Sequence, residues 1–290
     1  MADSRDWIAG ARPRTLPAAV APVLIGTGAA FAIGGGRLGP ALLAMVVALA
    51  LQVGVNYAND YSDGIRGTDE RRVGPVRLVG QQLAEPAQVK RAAIAAFGVA
   101  GLAGIGLAAL SSWWILLIGG AAILAAWSYT GGRRPYGYLG LGELFVFVFF
   151  GLVATVGTTY TQALGVSPAA WAGAVGVGAM SCAILMANNI RDIPSDERVG
   201  KRTLAVRLGD ERARWAYVVL VAIGFAAALV AARFHPGALL GLVAAVFLDR
   251  PTRRLRGGAT GADLIPVLVA TGRGTLTYGI GMGLGMFLWR

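Results

Sequence analysis

The sequence predicts an all-α, polytopic membrane protein with about nine transmembrane helices, set out as two four-helix halves plus one extra helix. Three observations carry this prediction. Only 14% of the 290 residues are charged, where a soluble chain carries roughly 25%. Mean hydropathy is +0.63. Residues 41–59 and 144–190 contain no charged side chain, and about 20 apolar residues suffice to cross a bilayer. This composition excludes a disordered chain, a disulfide scaffold and a simple soluble enzyme. The one cysteine, Cys182, excludes an intramolecular disulfide and a cysteine-based metal site.

The spans follow in order. The first, 16–34, ends at Gly34-Gly35-Gly36, and the second is 39–59. The third and fourth, 92–110 and 112–129, stop before Gly131-Gly132. The fifth, 141–163, and the sixth, 168–190, are separated at Pro168. The seventh is 213–233, and His235-Pro236 breaks the chain before a short eighth, 236–249. The ninth, 271–289, leaves its start open, because residues 264–270 are apolar but Gly272-Arg273 follows. One domain covers 1–290, with halves at about 12–135 and 141–256 and a last helix at about 264–290.

Charge placement orients this set. Of the 26 Lys and Arg, only Arg37, Arg233 and Arg290 fall on one face. The positive-inside rule then puts the N-terminus and the basic loops in the cytoplasm of a multi-pass cell-membrane protein. A net charge of +11 thus reflects membrane orientation and not nucleic-acid binding. All 15 Asp and Glu also lie on the cytoplasmic side, which orientation does not require. They point to a polar working site there. The basic run 250–256 reads most simply as an anionic-lipid anchor.

Two acid-bearing stretches match each other. Asn56-Tyr57-Ala58-Asn59-Asp60-Tyr61-Ser62-Asp63, with Asp69 beyond, ends the second span; Asn188-Asn189-Ile190-Arg191-Asp192-Ile193-Pro194-Ser195-Asp196 ends the sixth. If each helix continues, Asn56, Asp60 and Asp63 share one face, as do Asn188, Asp192 and Asp196. Internal repeats of this kind place a site between the halves. Carboxylates and amide oxygens suit Mg²⁺, which takes one or two carboxylates, phosphate oxygens and water. Arg66, Arg133, Arg134, Lys201 and Arg202 occupy the same loops and could grip a diphosphate. The plainer reading, solvated loop acids paired with neighbouring Arg, is strained by the repetition.

At these residues the chain resembles the UbiA superfamily of intramembrane aromatic prenyltransferases. Asn59-Asp60-x-x-Asp63 with Asp69 resembles the family's first Asp-rich motif, and Asp192-x-x-x-Asp196 with Gly200-Lys201-Arg202 its second. Asp69 lies further along than in many relatives. Tyr129-x-x-x-Arg133 resembles a third cytoplasmic element. The stretches 11–17, 134–137, 140–143 and 188–208 resemble the branch that prenylates 1,4-dihydroxy-2-naphthoate in menaquinone biosynthesis.

The resemblance implies a Mg²⁺-dependent transfer of a polyprenyl group from polyprenyl diphosphate to 1,4-dihydroxy-2-naphthoate, with loss of CO₂, giving a demethylmenaquinol. It implies metal binding by Asn56, Asp60, Asp63, Asp69, Asn188, Asp192 and Asp196. Lys201, Arg66, Arg133, Arg134 and Arg202 are the expected diphosphate cations. Tyr129 is expected to orient diphosphate or shield an allylic cation, or to be an interfacial belt residue. Arg14 is expected at the acceptor carboxylate or at a headgroup. Glu143 is expected beside the acceptor or paired with Arg133 or Arg134. The alternatives are another aromatic acceptor, 4-hydroxybenzoate or homogentisate, and a secondary transporter with a site between repeats.

Overall fold

The computed structural model describes residues 2–67 and 76–289. These form helices joined by short turns, with no strand among the described residues. A short helix, α1 (Ser4–Gly10), opens on a capping box between Asp3 and Asp6. A 3₁₀ turn, Pro13–Thr15, leads into α2 (Pro17–Ala32) across a 52° bend. Then come α3 (Leu38–Ile65), α4 (Pro86–Leu110) and α5 (Ile115–Ser128). After a 3₁₀ turn at Tyr136–Leu139, α6 (Gly142–Ala163) contains a π-helical stretch, Phe147–Val153. The long α7 (Pro168–Arg198), the short α8 (Leu204–Leu208) and α9 (Asp210–Ala232) follow. The 3₁₀ segment Pro236–Ala244 runs into α10 (Ala245–Arg256), and α11 (Leu264–Leu288) ends the chain.

Among the described residues five helices, α3, α4, α6, α7 and α9, are long and apolar enough to cross a membrane; counting the bent α1–α2 pair makes six. Each of the nine predicted segments falls on helix, but α5 has 14 residues and the eighth segment is largely 3₁₀. The last helix begins at Leu264, so Gly272-Arg273 lies inside it. At about 1.5 Å per residue, the 28 residues of α3 make a rod of roughly 42 Å, longer than a hydrocarbon core of about 30 Å. α7 is longer still. Both motif helices therefore continue past their predicted ends and carry their acids on helix, not on loop.

Burial shows how the bundle is organised. The most apolar stretch of α7 is 78% buried, against 28–33% for the other four candidate spans. α7 is thus the central post, and α3, α4, α6 and α9 turn side chains such as Leu42, Leu102, Leu144 and Val219 outward. The principal core gathers Ile25 of α2, Met180 and Met186 of α7, Tyr217 of α9 and Tyr278 and Met282 of α11. The last helix reaches the first span by close backbone contact. A Cβ on Gly28 would stand 2.2 Å from the Gly283 carbonyl oxygen, and one on Gly285 would stand 1.9 Å from that of Gly237. Small residues at such crossings let helices in lipid gain dispersion contact without a hydrophobic drive. At the end of the bundle away from the Asp motifs Arg37 ties three segments together, donating to the carbonyls of Gln162 at 2.7 Å, Thr161 at 2.8 Å and Leu110 at 3.2 Å.

Candidate active site

The last turns of α3 bury Asn56, Asn59, Asp60 and Asp63. Asp60 has no exposed surface. Its two carboxylate oxygens accept the backbone N–H of Leu78 at 2.8 Å and of Val79 at 3.1 Å. The returning loop is thereby fastened to the helix, and Leu78 is fully buried beneath α1. One turn deeper, Asn56 donates to the Ala11 carbonyl at 2.8 Å and the Thr15 hydroxyl at 3.0 Å. Gln52 donates to the same hydroxyl at 2.9 Å. Asn59 accepts the Thr130 hydroxyl at 2.8 Å, and Asp63 accepts that of Tyr138 at 2.9 Å.

The matching end of α7 is organised by Arg191. Its guanidinium forks onto Asp192, at 2.8 and 2.9 Å, and reaches Asn188 Oδ1 at 2.8 Å. Both partners of this ion pair are almost fully buried, where a charge must be matched to be tolerated. Asn189 donates to Glu143 Oε1 at 3.0 Å, joining α7 to the start of α6. Beyond the helix end, Gly200 takes φ +72°, a left-handed turn that glycine adopts without a Cβ penalty. That turn folds Lys201 back, with its amide on the Asp196 carbonyl at 2.8 Å and its Nζ 3.9 Å from Asp196 Oδ1.

Tyr138 joins the two ends. Its hydroxyl meets Asp63 on α3. Its ring lies under Lys201 Nζ at 5.1 Å and under the Arg66 guanidinium at 5.5 Å. Its carbonyl accepts the Arg202 amide at 3.1 Å. Both motifs face a cavity of about 1480 Å³. Asn56, Asn59, Asp63, Asn188, Arg191 and Lys201 line its polar end; α4, α5 and α6 supply mainly apolar walls. Tyr129, Tyr136, Phe145 and Phe149 run along one wall, with successive ring centroids 5.5, 3.9 and 6.2 Å apart. Burial raises the Tyr136 phenol above its ordinary range, so this ring stays neutral. At the far end Trp114 and Tyr160 pack together, ring centroids 5.3 Å apart.

A charged end that gathers two repeated motifs, opening into a long apolar chamber within a helical bundle, is built for an amphiphile with an anionic head. Residues 19–256 match the model of the UbiA prenyltransferase family. The chain belongs to that family. It is 53% identical over 280 residues to the 1,4-dihydroxy-2-naphthoate octaprenyltransferase of Mycobacterium tuberculosis, covering 97% of this chain and 96% of that one. It is 36% identical over 297 residues to the Escherichia coli protein of the same name, covering 98% and 96%. Among solved structures, a UbiA homolog from Archaeoglobus fulgidus bound to DMAPP and Mg²⁺ superposes with a TM-score of 0.65 at 16% identity, covering 98% of this chain and 99% of that one. The last similarity shows the fold.

Within this UbiA-family bundle the sequence-predicted residues divide. Asp63, Asn188, Tyr129 and Lys201 line the cavity, as does the exposed Arg14. Asp192 and Asp196 are buried at the same end of α7, paired with Arg191 and Lys201. Glu143 is buried against Asn189, not against Arg133 or Arg134. Those two arginines and Arg202 are exposed and lie outside the cavity wall. Arg66 gives its guanidinium to the carbonyls of Thr130 and Gly132. Asp69 lies outside the described residues. Among the described residues no three His, Cys, Asp or Glu side chains gather into a metal-holding cluster.

The structure adds Tyr138, Arg12, Arg77 and Arg191, all of which contact the motifs or line the cavity. Arg191 was legible inside the second motif, next to Asp192. The other three reach the site only through tertiary packing.

Proposed function

We propose that this chain transfers a polyprenyl group from polyprenyl diphosphate to 1,4-dihydroxy-2-naphthoate, releasing diphosphate and CO₂ and yielding a demethylmenaquinol. The observation that carries the reading is the cavity, whose polar end joins the two Asp motifs and whose apolar length suits a prenyl tail. The naphthoate acceptor follows from relatives matched over nearly the whole chain. The protein works in the cell membrane as a bundle of about nine membrane-embedded helices in two halves plus one. Its site faces the cytoplasm, where the basic loops lie.

In this reading Lys201 and Arg191 hold the diphosphate, assisted by Arg66 and by Tyr138, which keeps Asp63 and Lys201 together. The donor set fits Mg²⁺: Asp63, Asp192 and Asp196 with the Asn188 oxygen are hard ligands on two facing helix ends. Bound there, Mg²⁺ would neutralise charge on the departing diphosphate. Arg191 and Lys201 now balance Asp192 and Asp196, so they are placed to pass that pairing to a phosphate anion. Asp60 supports the site by holding the 76–80 loop. Tyr129 and Tyr136 shield the reacting carbon from water.

The allylic C–O bond breaks, and its electron pair leaves with diphosphate. The ring carbon bearing the carboxylate forms the new C–C bond. The carboxyl C–C bond then breaks, its pair restores the aromatic ring, and CO₂ departs. Charge balances with no further reagent, since a trianionic donor and a monoanionic acceptor become a tetraanionic diphosphate.

The test is an assay on detergent-purified protein with Mg²⁺, a short allylic diphosphate and either 1,4-dihydroxy-2-naphthoate or 4-hydroxybenzoate. Prenylated naphthalenediol with equimolar CO₂ is expected from the first. Product from 4-hydroxybenzoate alone would overturn the acceptor, and product from neither would overturn the activity.

A further inference from the structure

Arg12 has a backbone that its side chain does not favour. It sits at φ +53°, ψ +67°, in the left-handed region. For an L-residue this conformation is disfavoured by contact between Cβ and backbone. It persists only where surrounding structure enforces it, and such positions cluster at functional sites. Here the enforcement is visible. The Thr15 amide and hydroxyl both donate to the Arg12 carbonyl at 2.9 Å. That hydroxyl accepts from Gln52 and Asn56, and Asn56 also holds the Ala11 carbonyl. Tyr57 of α3 donates to the Trp7 carbonyl at 2.8 Å, pinning α1. Three polar side chains on two turns of α3, Gln52, Asn56 and Tyr57, thus hold one short segment in place.

The result is directional. The clamp turns Arg12 into the cavity, where it lines the wall with Thr15, Gln52, Asn56 and Arg77. It lies within electrostatic reach of Asp60. This wall belongs to α3 and the N-terminal segment. Arg191 and Lys201, the cations assigned to diphosphate, stand on α7 and the turn after it. The cavity therefore offers two cationic groups, Arg191 with Lys201 on α7 and the turn after it, and Arg12 with Arg14 and Arg77 on the N-terminal segment and the returning loop. One serves the diphosphate. A second anion in the same chamber needs the other.

We infer that Arg12 binds the carboxylate of the aromatic acceptor, and that the Gln52–Asn56–Thr15 clamp exists to aim it. The inference rests on the acceptor being an aromatic acid, as proposed above. It moves the carboxylate contact from Arg14, which is exposed, to Arg12. A guanidinium can take a carboxylate bidentately and so fix the plane of the ring. That orientation presents the carboxylate-bearing carbon to the allylic centre.

The experiment uses Arg12→Gly, because glycine adopts the left-handed turn freely and the segment keeps its shape without the guanidinium. Affinities for 1,4-dihydroxy-2-naphthoate and for 1,4-dihydroxynaphthalene, which lacks the carboxylate, are measured by calorimetry on the full chain. A slowly ionising prenyl thiolodiphosphate is present throughout. The wild type is expected to prefer the carboxylate by roughly ten- to hundred-fold, the worth of a charge-assisted pair. Arg12→Gly is expected to bind both alike, with affinity for the prenyl thiolodiphosphate unchanged, and Arg12→Lys to recover part of the preference. A preference retained in Arg12→Gly would overturn the inference. So would a change confined to affinity for the prenyl thiolodiphosphate, which would place Arg12 at the diphosphate. Because binding is read without turnover, failure here is distinct from failure of the reaction itself, which the wild-type assay decides.

Discussion

Asp60→Asn separates two roles that sequence spacing cannot distinguish. As a metal ligand, Asp60 would affect Mg²⁺ affinity. As an anchor, it would affect the loop whose amides it accepts at 2.8 and 3.1 Å. Hydrogen bonds to a charged group contribute roughly 1.5–3 kcal/mol each. Asparagine keeps one carbonyl acceptor but sets an N–H₂ against the second backbone N–H. The expected loss is about 2 to 4 kcal/mol: one charged bond, plus the cost of a buried donor facing a donor. At about 1.4 kcal/mol per tenfold, the open population of the loop rises roughly 30- to 700-fold. Leu78 is fully buried by this tether and touches Gly10 of α1, so the N-terminal segment should loosen with it. Amide hydrogen exchange followed by mass spectrometry reads both, at residues 76–83 and 2–15, because protection reports the local opening free energy. Faster exchange there, with an unchanged Mg²⁺ half-saturation, is the expected result. Unchanged exchange together with a tenfold or greater rise in the Mg²⁺ requirement would refute the anchor.

Other outcomes follow from the same geometry. Tyr138→Phe keeps the ring under Lys201 and Arg66 but loses the bond to Asp63; kcat/KM should fall roughly 10- to 100-fold, with Tyr138→Leu falling further as the cation–π contacts go. Arg191→Gln leaves Asp192 buried without its fork and should destabilise by about 3–5 kcal/mol. The double variant with Asp192→Asn should regain thermal stability but not activity, and denaturation scans beside turnover check the pair. A chelator should abolish CO₂ release while circular dichroism stays unchanged, since the helices hold without metal. Trp114→Ala removes one partner of the pair closing the apolar end; competition between short and long prenyl diphosphates should shift toward the longer.

The helical, membrane-spanning class and the family resemblance were legible in the sequence, because each rests on a local or repeated pattern. The helix ends were not. Polarity suggested that the second and sixth helices stop near residues 59 and 190, yet α3 runs to Ile65 and α7 to Arg198 through Pro194. Their acids are matched in place, by backbone amides for Asp60 and by Arg191 for Asp192, so the polar turns stay helical while buried. Tyr138 was unreadable for another reason. It acts by touching residues 63 and 201, and no spacing along the chain encodes a three-way contact. Arg133 and Arg134 show the converse: a basic pair in the right loop, turned outward.

The glycine crossings of α2 with α11, and of α11 with the Pro236–Ala244 segment, constrain how the protein can be made. The first span finds its principal neighbour only after the last helix has been synthesised, since Gly28 packs on Gly283. During synthesis that face of α2 stays against lipid or the insertion machinery. Assembly is therefore governed by long sequence separation, the slow class of contact. The segment carrying Arg12 hangs from the same first helix, across the bend at Leu16, so the site should mature in a final ring-closing step. A nascent chain halted before Gly283 would hold both Asp motifs in the membrane and still lack a finished chamber.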